Sequence, residues 1–147
     1  MAWSIEAVAQ APLSAQQVFA FYIDPSTWDE WGHNTRWARA RGPLEEGATV
    51  DVKAGYGAVY PVLIRRLVPD RYIECEVHPP GMLVVNSYGV EPAGSGVEIR
   101  HRIEVSGRFA RLAMALGFAR LYTRLLEREI ARLIALAKER AAGTADR

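Results

Sequence analysis

The stretch GRFARLAMALGFARLYTRLLEREIARLIALAKERA, Gly107 to Ala141, decides how the chain folds. Leu112, Leu116, Ala119, Tyr122, Leu126, Ile130, Leu133 and Ala137 recur at steps of three and four, the spacing of one helix face. Leu125 and Ile134 widen that face, while Arg120, Arg124, Arg128 and Arg132 follow one another at i, i+4 on the opposite side. No proline interrupts the run, and Gly117 is its only weak interior position. The pattern predicts one long amphipathic helix. Burying a large aliphatic side chain is worth about 1.5–3 kcal/mol, so this face is the largest block of core on offer. A second layer has to cover it.

Upstream the period changes to two. Val97, Ile99, His101, Ile103 and Val105 alternate with Glu98, Arg100, Arg102 and Glu104, which predicts a strand over Val97–Ser106 with one apolar face. Further strands are expected at Trp3–Ala9, Arg36–Arg41, Thr49–Ala54, Ala58–Val68, Arg71–His78 and Met82–Glu91. Turn-rich pieces separate them, among them Gly55-Tyr56-Gly57, Pro79-Pro80-Gly81 and Pro92 to Gly96. Pro61 implies a bulge or a late start in the fourth strand. After the first strand, Ser14 and Gln17 form a capping box with Leu13 and Val18 as its hydrophobic staple, predicting a helix over Ala15–Tyr22. Asp24 and Pro25 repeat the start signal for a second short helix ending near Trp31–Gly32.

The order β, α, α, six β, α predicts an α+β helix-grip fold. A curved, seven-stranded antiparallel sheet wraps the long C-terminal helix, with two short helices after the first strand. One domain is expected over residues 1–141, followed by a flexible tail at 142–147. A sheet gripping a helix in this way leaves room for an internal pocket.

Composition narrows the function. Half of the 147 residues are hydrophobic and the formal net charge is +1, so there is no overall pull toward nucleic acid or an anionic surface. A single cysteine, Cys75, excludes an intrachain disulfide and a cysteine-based zinc cluster. The N-terminus carries Glu6 and no basic region, unlike a signal peptide. Arg111, Arg120 and Arg124 cut the most apolar run, which argues against a membrane span. A soluble cytoplasmic protein with no stable membrane insertion is expected. There is no GxGxxG, Walker loop or HExxH, and His33, His78 and His101 stand apart, so neither cofactor nor metal is expected. The arginine stripe lacks interleaved aromatics, which argues against nucleic acid; it reads as a solvated face with Arg124–Glu127 and Glu129–Arg132 pairs. His33 reads as an exposed loop residue.

His101 is the only ionisable residue on the inward face of its strand. If a simple hairpin closes between Val90 and Val97, Asn86 faces His101, and Cys75 faces Asn86 in turn. A thiol, an amide and an imidazole in one row are the ingredients of a nucleophile set, although a buried cysteine usually behaves as a small hydrophobe. His101 itself reads either as a neutral core histidine bonded to Asn86 or a tyrosine, or as a polar anchor or acid/base on a pocket wall. Trp28, Trp31 and the Gly55–Tyr60 hairpin are placed to frame a pocket mouth. The full candidate ligand-contact set is Trp28, Trp31, Tyr56, Tyr60, Cys75, Asn86, Tyr88, His101, Phe118 and Tyr122.

The segments APLSAQQVFAFYIDPSTWDEW (Ala11–Trp31) and GPLEEGATVDV (Gly42–Val52), together with the long terminal helix, resemble the START/birch-pollen-allergen-like (SRPBCC) superfamily. Within it they are most similar to the polyketide cyclase/dehydrase and lipid-transport group. The resemblance implies a helix-grip fold with an internal pocket for an apolar ligand, and no universal catalytic signature. The expected function is therefore to bind or carry a small hydrophobic molecule, lipid or polyketide-like. The alternatives are a polyketide-type cyclase or dehydratase using His101 as acid/base, and a protein-interaction module.

Overall fold

The computed structural model describes residues 2–145. The elements run β1 (Trp3–Ala11), α1 (Ala15–Tyr22), α2 (Trp28–Trp31), β2 (Thr35–Ala40), β3 (Thr49–Ala54), β4 (Val59–Val68), β5 (Tyr72–Val77), β6 (Leu83–Ala93), β7 (Gly96–Ser106), α3 (Ala110–Ala115) and α4 (Phe118–Ala145). The capping box at the start of α1 is present: the Gln17 amide N–H donates to Ser14 Oγ at 3.1 Å, and the Ser14 amide N–H donates to Gln17 Oε1 at 2.8 Å. A 3-10 turn at Pro25–Thr27, capped by the Asp24 carboxylate, leads into α2.

The strands form one seven-stranded antiparallel sheet in the order β1-β7-β6-β5-β4-β3-β2. Strands β2 to β7 meander, and β1 returns to pair with β7. The alternation in β7 sorts its side chains as expected. Val97, Ile99, His101, Ile103 and Val105 are buried, whereas Arg100 and Arg102 face water. Helix α4 lies against β1 and β7 and against α1 and α2. Leu126, Ile130, Leu133 and Ala137 form its buried face. No described helix is long and apolar enough to cross a membrane.

Several expectations need correction. The terminal helix is not continuous, because Gly117 takes φ 84° and separates α3 from α4. This left-handed conformation is cheap only for glycine and ends a helix. Leu112 and Leu116, placed on the buried stripe by periodicity, are 55% and 67% exposed, and Ala110 is the buried residue of α3. The carbonyl of Ala110 accepts a hydrogen bond from Trp3 Nε1 at 2.7 Å, which ties α3 to β1. At the far end α4 continues to Ala145, past the expected Ala141.

The β6–β7 hairpin is also longer than expected. Pairing continues through Pro92↔Val97 and Ala93↔Gly96 to a two-residue turn at Gly94-Ser95, where only Gly94 has positive φ, as a type II′ turn requires. Pro92 is tolerated because β5 pairing has already ended at Gly89. The register therefore shifts by two: His101 faces Tyr88, and Asn86 faces Ile103. The β5–β6 register has Cys75 opposite Asn86 and Ile73 opposite Tyr88, so the row Cys75–Asn86–His101 does not form. Pro61 sits in regular pairing opposite Asp51; the irregularity of β4 falls at Arg65 instead.

Candidate functional site

The interior holds a buried polar chain built on Glu129 of α4. Its side chain is 1% exposed. Oε1 accepts from His101 Nδ1 at 2.7 Å, and Oε2 accepts from His33 Nδ1 at 2.6 Å and from the His33 amide N–H at 3.1 Å. Tyr22, the last residue of α1, donates its hydroxyl to His101 Nε2 at 2.8 Å. An ionised carboxylate only accepts, so both imidazoles carry their proton on Nδ1 when neutral, leaving Nε2 as the lone-pair nitrogen. For His101 that nitrogen is occupied by Tyr22. His33 Nε2 makes no hydrogen bond among the described residues.

The elements explain why these groups meet. Glu129 follows Leu126 by three residues and precedes Leu133 by four, so it sits on the buried side of α4. His33 stands in the short connection between α2 and β2. Asn34 in that connection accepts from the Gly55 amide N–H through Oδ1 at 3.0 Å, and α2 before it is tied to α4 by Arg132 Nε, which donates to the Glu30 carbonyl at 3.0 Å. His101 is boxed by Tyr88, Tyr22 and Trp31, with ring centroids 4.8, 5.6 and 5.9 Å away.

The electrostatics follow from this packing. Burial pushes the Glu129 carboxyl up, but hydrogen bonds and charge from His101 and His33 overcome it and hold the group at about 2. Burial pulls His33 down, yet the Glu129 hydrogen bond and charge outweigh that and leave it raised. Burial, reinforced by the Glu129 charge, keeps Tyr22 and Tyr88 protonated far above the usual phenol range. Burial pushes the Cys75 thiol up to about 12, with the Glu74 and Glu129 charges adding to it, so Cys75 behaves as a small apolar group.

Two cavities meet at His33. An inner one of about 70 Å³ is bounded by Tyr22, Trp28, Trp31, Cys75, Tyr88 and Glu129. An outer one of about 410 Å³ opens between the sheet and the α3–α4 junction; Trp3, Tyr56, Val84, Ala113, Phe118 and Tyr122 line it. His33, Tyr60, Val77 and Asn86 belong to both walls. Every candidate ligand contact except His101 lines one cavity or the other: Trp28, Trp31, Cys75 and Tyr88 the inner, Tyr56, Phe118 and Tyr122 the outer, Tyr60 and Asn86 both. His101 is fully buried and lines neither.

Sequence reasoning missed Glu129 and His33. Glu129 does not pair with Arg132, and His33 is not an exposed loop residue; each is the other's partner. The usable signal was an acidic residue three and four positions from buried leucines.

A family model described as polyketide cyclase / dehydrase and lipid transport matches residues 2–137. The chain belongs to that family. No curated protein matches it in sequence. Several solved structures share its fold at low sequence identity. The di-domain ARO/CYC StfQ from the steffimycin biosynthetic pathway superposes with a TM-score of 0.74 at 13% identity, covering 97% of this chain and 52% of that one. This chain thus spans about half of that di-domain protein. A START superfamily protein from Mycobacterium smegmatis gives a TM-score of 0.73 at 10% identity, with 92% and 97% covered. A Thalictrum flavum norcoclaurine synthase point mutant in complex with a transition-state analogue gives 0.74 at 15% identity, with 96% and 97% covered.

Proposed function

We propose that the protein binds a small hydrophobic molecule, lipid or polyketide-like, in the outer cavity, with the His33–Glu129 pair as the polar anchor at its inner end. The observation that supports this best is the cavity itself. It has about 410 Å³ of space and mainly apolar and aromatic walls, with His33, Tyr60 and Asn86 supplying the convergent polar groups. Ligand sites have this make-up and fall in this size range. Its rim carries Tyr56, 76% exposed, and Phe118, 37% exposed, so apolar surface continues out to the mouth. The fold also suits such a use: the norcoclaurine synthase structure of the same fold was solved with a transition-state analogue bound.

Native mass spectrometry of the protein, purified without detergent, tests this reading. The expected result is an added mass that organic extraction removes and identifies as an apolar compound. Tyr60→Ala and Asn86→Ala are expected to reduce its occupancy while the fold is retained. An empty protein that also fails to bind any member of a panel of fatty acids and fused-ring aromatic ketones would remove the proposal.

A further inference from the structure

The anchor at the end of the cavity is built as more than a hydrogen-bond partner. One carboxylate holds two imidazoles, and the two are treated differently. His101 is sealed, with Nδ1 on Glu129 at 2.7 Å, Nε2 on Tyr22 at 2.8 Å, and no exposure. His33 is fixed through Nδ1 and its own amide N–H on the other oxygen, while its ring lies on the wall of both cavities and its side chain is 18% exposed. The sealed half gives the carboxylate a fixed position. The open half is a ring on the cavity wall whose Nε2 makes no hydrogen bond among the described residues.

We propose that His33, oriented by Glu129, is a catalytic acid/base that moves a proton on the bound ligand, and that the ligand is an apolar carbonyl compound with an acidic hydrogen on the carbon next to the carbonyl. This rests on the binding reading and goes beyond it. Nε2 takes that hydrogen as a proton. The C–H electron pair becomes the new C=C bond, and the C=O π pair moves onto oxygen. The enolate oxygen accepts a hydrogen bond from Tyr60 Oη or the Asn86 amide, which share the wall with His33. The imidazolium stays against the Glu129 carboxylate, which remains ionised, and then returns its proton to the same carbon or to a conjugated one. Atoms and electrons balance with no oxidant or metal. Burial keeps the Tyr60 phenol neutral, at about 12, so it is a donor at neutral pH.

The test is hydrogen–deuterium exchange at the α-carbons of 2-tetralone and of a 1,3-diketone of similar size, followed by proton NMR in D2O. Binding of each is measured separately by ligand-observed NMR. A positioned general base contributes typically about 10²–10⁴-fold, so exchange is expected at least about 100-fold above the buffer rate. His33→Gln is expected to return it to the buffer rate while the ligand still binds. Glu129→Gln is expected to shift the pH midpoint of exchange downward, which a merely structural role would not do. Arg102→Ala, on the water-facing side of β7, is expected to keep exchange within a few-fold of wild type. Ligand bound with no exchange above buffer, or exchange that survives His33→Gln, overturns this proposal and leaves the binding reading standing. No exchange and no binding with either probe overturns the catalytic proposal for this ligand class, and the extraction experiment above then decides the binding reading on its own.

Discussion

Glu129 keeps its charge in the interior only because both oxygens are in use. Three N–H donors reach them, from His101 and from the side chain and backbone of His33. Removing one partner of a buried ion pair is far more costly than the pair is worth, because the remaining charge or donors lose their solvation without compensation. Glu129→Leu is therefore expected to cost about 3–5 kcal/mol in denaturant unfolding. Glu129→Gln keeps the shape and one acceptor and is expected to cost about 1–3 kcal/mol. The pH dependence has two limbs. The Glu129 carboxyl is lowered from 4.5 to about 2, so its contribution is complete above 4.5 and is lost as pH falls toward 2. His33 is raised from 6.5, so its contribution is complete below 6.5 and is lost as pH rises through its folded value. Around His33 the other titratable groups are Tyr122 of α4, packed edge-on at 5.8 Å, and Tyr60 of β4; both phenols are raised and stay neutral across this range. Stability is expected to peak between pH 4.5 and 6.5, and a Glu129→Gln titration should flatten both limbs. The inward direction of His101 was legible from strict alternation along β7. Its partner was not, because Glu129 lies 28 residues away on a helix whose rotation against the sheet no local pattern encodes.

At the scale of elements, the α3–α4 break shows what periodicity can and cannot say. The apolar spacing passes through Gly117 in phase, so the pattern alone reads one helix. What ends α3 is a single φ of 84° at Gly117. The Gly117 amide N–H then bonds the Met114 carbonyl at 3.1 Å, and α4 starts afresh at Phe118. The break lets α3 reach β1 through the Trp3–Ala110 hydrogen bond and brings Ala113 to the cavity wall. Gly117→Ala forces a Cβ into left-handed backbone, expected to cost about 1–2 kcal/mol in thermal or denaturant unfolding. A stabilised Gly117→Ala variant would instead mean that the two helices run straight through in solution, since alanine is the better helix former. The strands were easier to read, because alternation and turn residues are local signals. The shifted β6–β7 register traces to the two residues Pro92 and Ala93, whose pairing depends on β5 having ended, a fact about the neighbouring strand.

For the whole molecule, the question is what fills the space under the sheet. The outer face of the sheet is occupied by exposed pairs such as Arg100–Glu6 and Arg102–Glu104, which contribute little stability. The inner face carries the core, yet next to it about 410 Å³ is left open. Protein interiors are normally packed to crystal density, and a domain of this kind has only about 5–15 kcal/mol of net stability to spare. An open apolar hollow leaves its lining in water, where packed side chains would have added stability. If a ligand is what the hollow is for, filling it with protein should help the fold and abolish binding. Val84→Phe and Ala113→Phe each add a ring inside the outer cavity without touching the Glu129 network. Both are expected to leave the melting temperature unchanged or raised, and to weaken binding of an apolar ligand by at least about tenfold, roughly 1.4 kcal/mol. Wild-type protein with ligand at 100 times its Kd should gain about 2.7 kcal/mol of stability, a gain the filled variants should lack. If instead both substitutions destabilise by about 1–3 kcal/mol, as overpacking of a filled core does, the space is closed in solution. The cavity would then have no part in function.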